Sequence, residues 1–407
     1  MYKKRRVVVT GIGAITPIGT GKEKFWQALI NGVDGVRRAR KIDTSRYRTH
    51  MAAEVKDFFP GKYLNLKSLK YPSVTTLYAL ASVKMAIEDS GLKINPDNQI
   101  GVVLGANTPD PLVNAEAINF WNKNKYSATP ERIYSNLNTN LHVVRISEYF
   151  DLKGPVSVIP AACAAGNTTI TYAFDMIRTG QAQAMFAGGC DPINHLAYGG
   201  FDKMKAMSPD RCRPFDKNRK GMIVGEGSGI ILLEELGYAL KRKAKIYAEM
   251  LGYGLATDAY SVAIPHPEGL GAIQATKMAL KMSKIRPQEV DYINAHGTAT
   301  IANDRMESNL IKTIFKKSGN DVAVSSIKSM LGHCMGAASG IEACASALIV
   351  QKNIIPANIN YRDPDPLCDI NIVANKPLHK KINIMISNSF AFGGNNAVIV
   401  LAKLNGR

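Results

Sequence analysis

The sequence predicts an α/β fold, in which apolar strands alternate with helices along the whole chain. The alternation occurs in both halves of the 407 residues, without a linker rich in proline or glycine between them. Four apolar, β-branched runs each end in a loop that carries a reactive or flexible residue, as at Val156–Asn167. Sites in α/β proteins collect at the carboxyl ends of strands, so we expect these loops to meet in one site.

Predicted strands and helices alternate through the first part of the chain. Apolar β-branched runs predict the strands, and apolar residues spaced three to four apart predict the helices. A glycine follows the long helix, as is typical of a C-terminal cap. In chain order the predictions are a strand over 5–9, a glycine-rich turn over Gly11–Gly19, a helix starting over Lys24–Leu29, a helix over Ser73–Ser90 closed by Gly91, a strand over Ile100–Leu104, and a polar, irregular stretch over 106–140 at a dimer face or pocket mouth.

The same alternation continues to the C-terminus. It predicts two similar halves with a boundary near residue 250, which divides the chain into domains 1–250 and 251–407. The remaining predictions are a strand–turn–helix unit over 156–180, a strand over Ala184–Gly188, a β pair formed by Met222–Glu235 and Ala244–Gly254, a helix over Gly269–Met282, and strand–loop units that begin near residues 290, 322 and 384.

Cys163 lies where a predicted strand ends and a helix begins. Unpaired backbone N–H groups at the start of a helix favour negative charge, so this position predicts a stabilised thiolate. The alanines around it and Gly166 leave room for a substrate beside the sulfur. The alternative interpretation is a buried, inert cysteine, which is the commoner case for an isolated cysteine.

Three later loops carry the other candidate residues. Val290–Thr300 is a strand that runs into a turn with a histidine, His296. Val322–Glu342 contains a strand, a loop with Lys328 and His333, and the start of a helix rich in glycine and alanine. Ile384–Asn396 is a strand that ends in a glycine-flanked aromatic loop with Phe392. One histidine alone indicates a structural residue, but the four loops together indicate a site.

Taken together, these motifs resemble β-ketoacyl-acyl carrier protein synthases of the type I/II, Cys-His-His class, which have the thiolase fold. The resemblance implies two pseudo-duplicated βαβαβαββ halves in a layered α-β-α-β-α sandwich. The first half carries the cysteine, and the second carries both histidines and a gating loop. The motifs run from end to end of the chain, in order: Arg6–Gly19, Ala162-Cys163, Arg213–Asp216, Gly225–Gly227, Asn294–Thr298, Lys328–His333, Gly336–Ala338 and Phe392–Asn395.

The chemistry that the resemblance implies is a decarboxylative Claisen condensation. Cys163 takes an acyl group, and loss of carbon dioxide from malonyl carrier protein then gives an enolate that attacks it. The resemblance implies that His296 and His333 act as neutral imidazoles and donate from Nε2 to the enolate oxygen. The resemblance also implies that Lys328, paired with Glu342, is a buried cation that orders the catalytic site. A solvated surface lysine is its alternative.

Further roles also follow from the resemblance. The backbone N–H groups of Cys163 and Phe392 would form the oxyanion hole, and Phe392 would act as the gate. Thr298 and Thr300 would hold the pantetheine arm of the carrier, although a hydroxyl cap of the next helix explains them equally simply. Phe201 would line the acyl tunnel.

Three positions depart from the family pattern. Ala161 stands where threonine is usual, Lys220 where an acidic residue is common, and Ile301 where proline is usual. These departures put a housekeeping role in a fatty acid synthase in doubt. Gly189–Ile193 and Asp363–Asp369 also resemble the ketosynthase subunit of a type II polyketide or polyene system, which is the favoured route. Both routes use the same mechanism and stay open.

The net charge of +18, from 51 basic and 33 acidic residues, predicts an anionic partner. No helix-turn-helix, zinc-finger or RNP pattern supports nucleic acid, whereas the resemblance implies an acidic acyl carrier protein. It also implies a homodimer, or a heterodimer with a chain-length-factor-like paralogue. An ordinary solvated charge is the alternative for each candidate docking residue: Lys62, Lys67, Lys70, Lys203 and Lys205.

Six cysteines without a C-x-x-C pair predict reduced thiols in the cytoplasm. The N-terminus lacks the apolar core of a signal peptide, and no apolar run is long enough to cross a membrane. We therefore expect a soluble protein that does not bind membranes. We expect no cofactor, since the substrates arrive on the 4′-phosphopantetheine of the carrier, and no metal.

Three alternatives to the synthase remain. Zinc could be bound by Cys163, His296 and His333 with Cys334 as a fourth ligand, although the last two are adjacent and would point apart in an extended loop. A thiolase acting on coenzyme A esters would generally need a second cysteine as acid and base. A non-catalytic subunit of the chain-length-factor type would lack the nucleophile that Cys163 offers.

Overall fold

The computed structural model describes residues 5–95, 97, 99–107, 111–123, 125–319 and 321–404. Strands in the described residues are β1 Val7–Thr16, β2 Gly19–Thr20, β3 Arg37–Arg38, β4 Met51–Ala52, β5 Ile100–Gly105, β6 Val156–Val158, β7 Ala184–Asp191, β8 Gly227–Glu235, β9 Ala248–Thr257, β10 Tyr292–Asn294, β11 Ala323–Ser325, β12 Ile354–Ile355, β13 Leu378–His379, β14 Ile384–Phe390 and β15 Asn395–Ala402. The α-helices are α1 Lys22–Ile30, α2 Val74–Ser90, α3 Pro111–Asn122, α4 Glu131–Tyr134, α5 Asn140–Phe150, α6 Ala165–Arg178, α7 His195–Lys203, α8 Leu236–Lys241, α9 Leu270–Ser283, α10 Ile301–Ile314, α11 Lys328–Leu331 and α12 Ala338–Lys352.

The large sheet contains the same strand order twice. From its middle outward, one side runs β1-β8-β7-β5-β6 and the other runs β9-β15-β14-β10-β11. Each side contains five strands, which can be numbered one to five in chain order. From the middle of the sheet outward, both sides then run one, five, four, two, three. β1 and β9 pair antiparallel and join the two sides. This repeated order confirms the two pseudo-duplicated halves of the predicted fold.

Helices cover and separate the two halves. α2 and α5 pack on the first half, α9 packs on the second with α10 beside it, and α6 packs on α12 between them. The central helices approach closely because a Cβ on Gly166 would lie only 2.3 Å from the backbone nitrogen of Gly340. Every residue of α12 from Ala338 to Val350 is buried. The layers follow the predicted α-β-α-β-α sandwich.

The prediction of a glycine-rich turn over Gly11–Gly19 is wrong over most of its length. β1 continues through Thr16, and a Cβ on Gly13 would lie 1.8 Å from the carbonyl oxygen of Ser82 in α2. The glycines therefore allow a helix to pack closely on the strand. The chain reverses only at the end of the predicted turn, where Thr16 pairs antiparallel with Gly19.

The prediction of an irregular stretch over 106–140 is also wrong in part. Pro111–Asn122 is helical and Glu131–Tyr134 forms a further helical turn, while residues 108–110 and 124 lie outside the described residues. Proline is favoured in the first turn of a helix, where its missing N–H has no partner to lose. The polar composition of this stretch concealed the helix.

The two strands of the predicted β pair do not pair with each other. Its strands begin later than predicted, at Gly227 and Ala248, and β1 lies between them and pairs antiparallel with both. Strands close in sequence usually pair or neighbour each other, but here the first strand of the chain takes the central place. Residue 250 lies within β9, and the division into domains 1–250 and 251–407 stays a prediction.

Candidate active site

One cavity of about 470 Å³ gathers most of the predicted site residues from both halves. Its walls come from the ends of several strands, as expected for an α/β fold. The predicted site residues among those that line it are Cys163, Phe201, Lys205, His296, Thr298, Thr300, His333 and Phe392. Segments separated by more than 200 residues thus share one space.

Cys163 lies in the tight turn Ala162–Ala164 that leads into α6, as the sequence predicted. The turn begins with Ala162 at φ 47°, a left-handed conformation that costs a non-glycine residue roughly 1–2 kcal/mol. Asn107 Nδ2 donates to the Ala162 carbonyl oxygen at 3.1 Å, and Ser339 Oγ donates to the Cys163 carbonyl oxygen at 3.2 Å. These contacts hold the sulfur at the cavity wall.

The prediction of a stabilised thiolate is wrong in its direction. Burial raises the pKa of the Cys163 thiol to about 12, because the residue is only 7% exposed and charge is poorly solvated there. The nearby Lys328 and a hydrogen bond from the backbone N–H of Phe392 lower this pKa, but burial outweighs them. The thiol is therefore the resting form. The Phe392 contact also places a backbone donor beside the sulfur.

Both histidines are held as neutral imidazoles. His333 Nδ1 accepts from the Met335 N–H at 3.2 Å, so its proton lies on Nε2. His296 Nδ1 lies 3.4 Å from Lys328 Nζ, a donor, which favours the same tautomer. Burial, followed by the charge of Lys328, lowers the pKa of each imidazole well below its usual value. The rings meet edge to face with their centroids 5.4 Å apart.

Lys328 and Glu342 form an ion pair behind the histidines. The lysine side chain is 1% exposed, and its ammonium group donates directly to Glu342 Oε1. Burial raises the pKa of Glu342 to about 7 although the ammonium opposes this. An unpaired charge would be strongly unfavourable at this depth, so each partner is needed by the other. Neither residue lines the cavity, but Lys328 contacts His296 and Glu342 contacts Lys328.

A second carboxylate that the sequence analysis missed holds the turn of His296. Glu307 Oε1 accepts from the His296 N–H and Oε2 from the Gly297 N–H, both at 2.8 Å. Asn388 Nδ2 donates to the same carboxylate at 3.0 Å. One turn earlier in α10, Asp304 accepts from the Phe215 N–H at 2.7 Å. Two acidic residues three apart, on the apolar face of the next helix, were the available signal.

The predicted substrate-holding residues lie at the walls of the cavity. The hydroxyl oxygens of Thr298 and Thr300 are 2.9 Å apart, and neither caps α10 through a side-chain hydrogen bond. The rings of Phe201 and Phe392 lie 5.3 Å apart. Phe392 belongs to a short turn that ends at Gly394, with φ 78° and 76° at its two glycines. This backbone allows the Phe392 loop to change conformation.

Only one of the five predicted docking lysines lines the cavity. That residue is Lys205, while Lys203 is exposed at the end of α7. Lys62 and Lys67 lie on exposed turns elsewhere, and Lys70 forms an exposed ion pair with Glu131 at 2.5 Å. The structure therefore separates the five into a pair near the cavity and a group at another surface.

No group of three or more His, Cys, Asp or Glu side chains in the described ranges is arranged to hold a metal ion. No helix within the same residues is both long and apolar enough to span a bilayer.

Comparison with known proteins matches the chain over most of its length. The model of the β-ketoacyl synthase N-terminal domain matches residues 4–239, and that of the C-terminal domain matches residues 247–362. The 3-oxoacyl-[acyl-carrier-protein] synthase 2 of Coxiella burnetii is 40% identical, over 99% of this chain and 99% of its own length.

Two solved structures are similar along the whole chain. The ishigamide ketosynthase/chain length factor is 35% identical with a TM-score of 0.93, over 98% of this chain and 100% of that chain. A type II polyketide synthase ketosynthase, solved with its acyl-carrier protein and bound to the hexaketide, is 29% identical with a TM-score of 0.89, over 98% and 100%. The chain therefore belongs to the β-ketoacyl synthase family.

Proposed function

We propose that the protein is a β-ketoacyl-[acyl carrier protein] synthase that joins a Cys163-bound acyl chain to malonyl carrier protein. The observation that carries this proposal is the convergence of one thiol and two neutral imidazoles in one cavity. Family membership supports it, since the curated relative from Coxiella burnetii is a 3-oxoacyl-[acyl-carrier-protein] synthase.

The first half-reaction loads the enzyme. The Cys163 sulfur attacks the thioester carbonyl of an acyl carrier protein, the bond to the carrier sulfur breaks, and the carrier thiol leaves with the proton. The transient oxyanion requires preorganised donors. The backbone N–H groups of Cys163 and Phe392 supply them in this proposal, and the Phe392 contact to the sulfur supports that role.

The second half-reaction makes the carbon–carbon bond. Malonyl carrier protein loses carbon dioxide, and the electron pair of the broken bond forms an enolate. Nε2–H groups of His296 and His333 donate to the enolate oxygen, where charge develops. The enolate carbon then attacks the acyl carbonyl, and the Cys163 sulfur leaves. Lys328 supports this step because it keeps His296 neutral with its proton on Nε2.

A thiolase is the alternative activity, and the cavity argues against it. A thiolase needs a second cysteine as acid and base, yet among the described residues that line the cavity Cys163 is the only cysteine. The non-catalytic alternative is disfavoured by the same thiol. Release of carbon dioxide from malonyl carrier protein is the measurement that separates a synthase from a thiolase.

The partner proposal is an acidic carrier protein together with a dimeric assembly. Lys205 at the cavity supports the first, and the net charge of +18 implies that salt weakens the association. For the second, β6 is the last strand of the sheet and Val156 in it is 40% exposed, so this edge can pair with another chain. The partner is a second copy or a chain-length-factor-like paralogue.

The pathway proposal is the specialised route, as a ketosynthase of a type II polyketide or polyene system, in the cytoplasm. Lys220 and Ile301 both line the cavity, so two of the three departures from the family pattern contact the space in which substrates react. The similarity to a type II polyketide synthase ketosynthase and to the ishigamide ketosynthase/chain length factor supports the same route. A fatty acid synthase is the alternative.

Mass spectrometry of the intact carrier protein after turnover tests the whole proposal. Purified protein is incubated with an acyl carrier protein and malonyl carrier protein, with and without a candidate partner subunit. We expect the carrier to gain a β-ketoacyl chain, with product length reporting the pathway. Unchanged carrier in the presence of every partner tried would refute the synthase assignment.

The docking proposal has a separate test. We expect Lys205→Glu to raise the KM for malonyl carrier protein several-fold at low salt, and added salt to raise the wild-type KM. Lys70→Glu is the matched control, because that lysine is already paired with Glu131 away from the cavity. An equal effect of the two variants, or a KM independent of salt, would contradict docking of the carrier protein at Lys205.

A further inference from the structure

Asp191 at the end of β7 is a buried carboxylate that the mechanism above does not use. It is 4% exposed and has no ion-pair partner within the residues that the structure describes. Its Oδ2 atom accepts from the Gly336 N–H at 2.6 Å and from Asn107 Nδ2 at 3.0 Å. These two donors belong to different halves of the protein, so one carboxylate oxygen connects them.

Each donor leads to a loop of the active site. Asn107 Nδ2 also donates to the carbonyl oxygen of Ala162, the residue before the nucleophile. Gly336 follows Met335, whose N–H fixes the tautomer of His333. Ala162 at φ 47° and Met335 at φ 51° are both left-handed, a conformation that persists only where its surroundings enforce it. Asp191 is the contact that both strained turns share.

The packing around this carboxylate is tight enough to transmit a displacement. A Cβ on Gly336 would lie 2.5 Å from Asn107 Nδ2 and 2.6 Å from Asp191 Oδ2. A glycine is therefore required for the backbone N–H to reach the carboxylate. The hydrogen bonds from Gly336 and Asn107 to Asp191 are therefore the links between the two turns.

Asp191 also acts on the nucleophile through its charge. Its negative charge raises the pKa of Cys163, in addition to the larger effect of burial. It also raises the pKa of two neighbouring thiols, Cys190 and Cys334, and burial raises its own pKa to about 7. The carboxylate thus opposes formation of the thiolate while its hydrogen bonds hold the site together.

We propose that Asp191 is a positioning residue, which couples the nucleophile turn to the His333 turn through the hydrogen bonds that it accepts from Asn107 and Gly336. The inference deepens the proposed synthase function and rests on it. It assigns one side chain two effects of opposite sign. Loss of the charge makes the free cysteine more reactive and makes condensation slower.

Asp191→Asn is the central variant, because it keeps the size of the side chain but replaces the charge-assisted hydrogen bonds from Gly336 and Asn107 with weaker neutral ones. Alkylation of Cys163 by iodoacetamide near pH 8, localised by mass spectrometry, is expected to become several-fold faster. Condensation is expected to lose about tenfold in kcat with little change in KM, since small displacements of reacting groups are costly. A structural role alone would lower both rates.

Asn107→Ala separates the two effects. It removes the link to Ala162 but leaves the Asp191 carboxyl group in place, so condensation should slow with a smaller rise in alkylation than in Asp191→Asn. Asp89→Asn is the control for a half-buried aspartate distant from both turns, where Asp89 contacts Lys22 and Tyr247. It should lower the melting temperature and leave the ratio of the two rates unchanged.

The outcomes distinguish this inference from the function on which it rests. Unchanged rates in Asp191→Asn, or a parallel fall of both, would overturn the positioning role. If the Asp191 variant does not fold, the ratio of rates in Asn107→Ala decides. A wild-type protein without condensation activity would refute the proposed function, while the alkylation rates would still test the effect of the charge.

Discussion

Two turns of the molecule have the same place in the fold and opposite chemistry. Ala162–Ala164 and Met335–Ala337 each lead into a central helix, α6 and α12, and each begins with a left-handed residue that is not glycine. The second position is Cys163 in one turn and Gly336 in the other. The first turn therefore presents a thiol, and the second presents a backbone N–H.

The surroundings of the two turns differ as much as their second residues. The nucleophile turn consists of alanines and a buried thiol, whereas the second turn donates to His333 through the Met335 N–H. His333 packs against His296, which lies beside Glu307 and the ion pair of Lys328 with Glu342. A duplicated backbone provides two equivalent positions, and side chains then give them different roles. The comparison predicts that damage to the first turn blocks acyl transfer, and damage to the second blocks decarboxylation.

The largest expected effect comes from removing the thiol of the first turn. Cys163→Ala should abolish chain elongation, by roughly 10⁴-fold or more, because no other group can carry the acyl chain. Product formation on the carrier is measured by mass spectrometry. Cys344→Ala, a buried cysteine in α12 outside the cavity, is the control and should retain elongation. Elongation by the Cys163 variant would contradict the nucleophile assignment.

Cys163→Gln sharpens the same comparison. The glutamine amide resembles an acylated cysteine, so this variant should release carbon dioxide from malonyl carrier protein without any acyl donor. A variant without decarboxylation would show that the second turn depends on the thiol itself.

The next effect comes from removing His333, the histidine that the second turn contacts. His333→Ala should lower decarboxylation by roughly 10²–10³-fold, because one preorganised donor to the enolate oxygen is lost. Acyl transfer to Cys163, followed by the mass of the acyl-enzyme, should continue. His379→Ala, on an exposed strand, is the control. Equal losses in both half-reactions would contradict the division of labour between the turns.

A third effect concerns stability on the histidine side. Lys328→Met should cost about 3–5 kcal/mol in urea unfolding, because it leaves Glu342 buried without its partner. Lys316→Met, which breaks an exposed pair with Asp369, should leave the melting temperature unchanged. Burial raises the pKa of Glu342 to about 7 in the wild type, and loss of the ammonium raises it further.

The pH dependence of that loss follows from its sign. A carboxyl group with a raised pKa destabilises the folded state as pH rises through that pKa, because the unfolded chain ionises more easily. The deficit of Lys328→Met should therefore be larger near pH 8 than near pH 5.5. An equal deficit at both values would mean that Glu342 is not the group left unpaired.

The last prediction concerns how the reactivity of the free Cys163 thiol depends on pH. Because burial raises the pKa of Cys163 to about 12, its alkylation rate should rise about tenfold per pH unit from about pH 7 to pH 10. Glutathione, an exposed thiol, should level off above about pH 8.5–9 in the same assay. A plateau of the alkylation rate near neutral pH would instead support the stabilised thiolate that was predicted from the position of Cys163 at the start of a helix.

The sequence alone determined the family, the α/β architecture and the identity of the candidate residues, because these depend on local motifs. A strand that ends at Cys163, and loops that carry His296 and His333, can be recognised without knowing their distances. Family membership and the layered fold are confirmed. The roles of the site residues stay predictions.

Only the tertiary structure decided what depends on burial and on contacts between distant segments. It reversed the expected pKa shift of Cys163, since desolvation outweighs the helix start, and it placed β1 between two strands that the sequence paired with each other. It also revealed Glu307 and Asp191, whose partners lie far from them in the chain or in another element. Local patterns fix which groups a chain offers, but solvent exclusion and long-range packing fix how those groups are charged and what they hold.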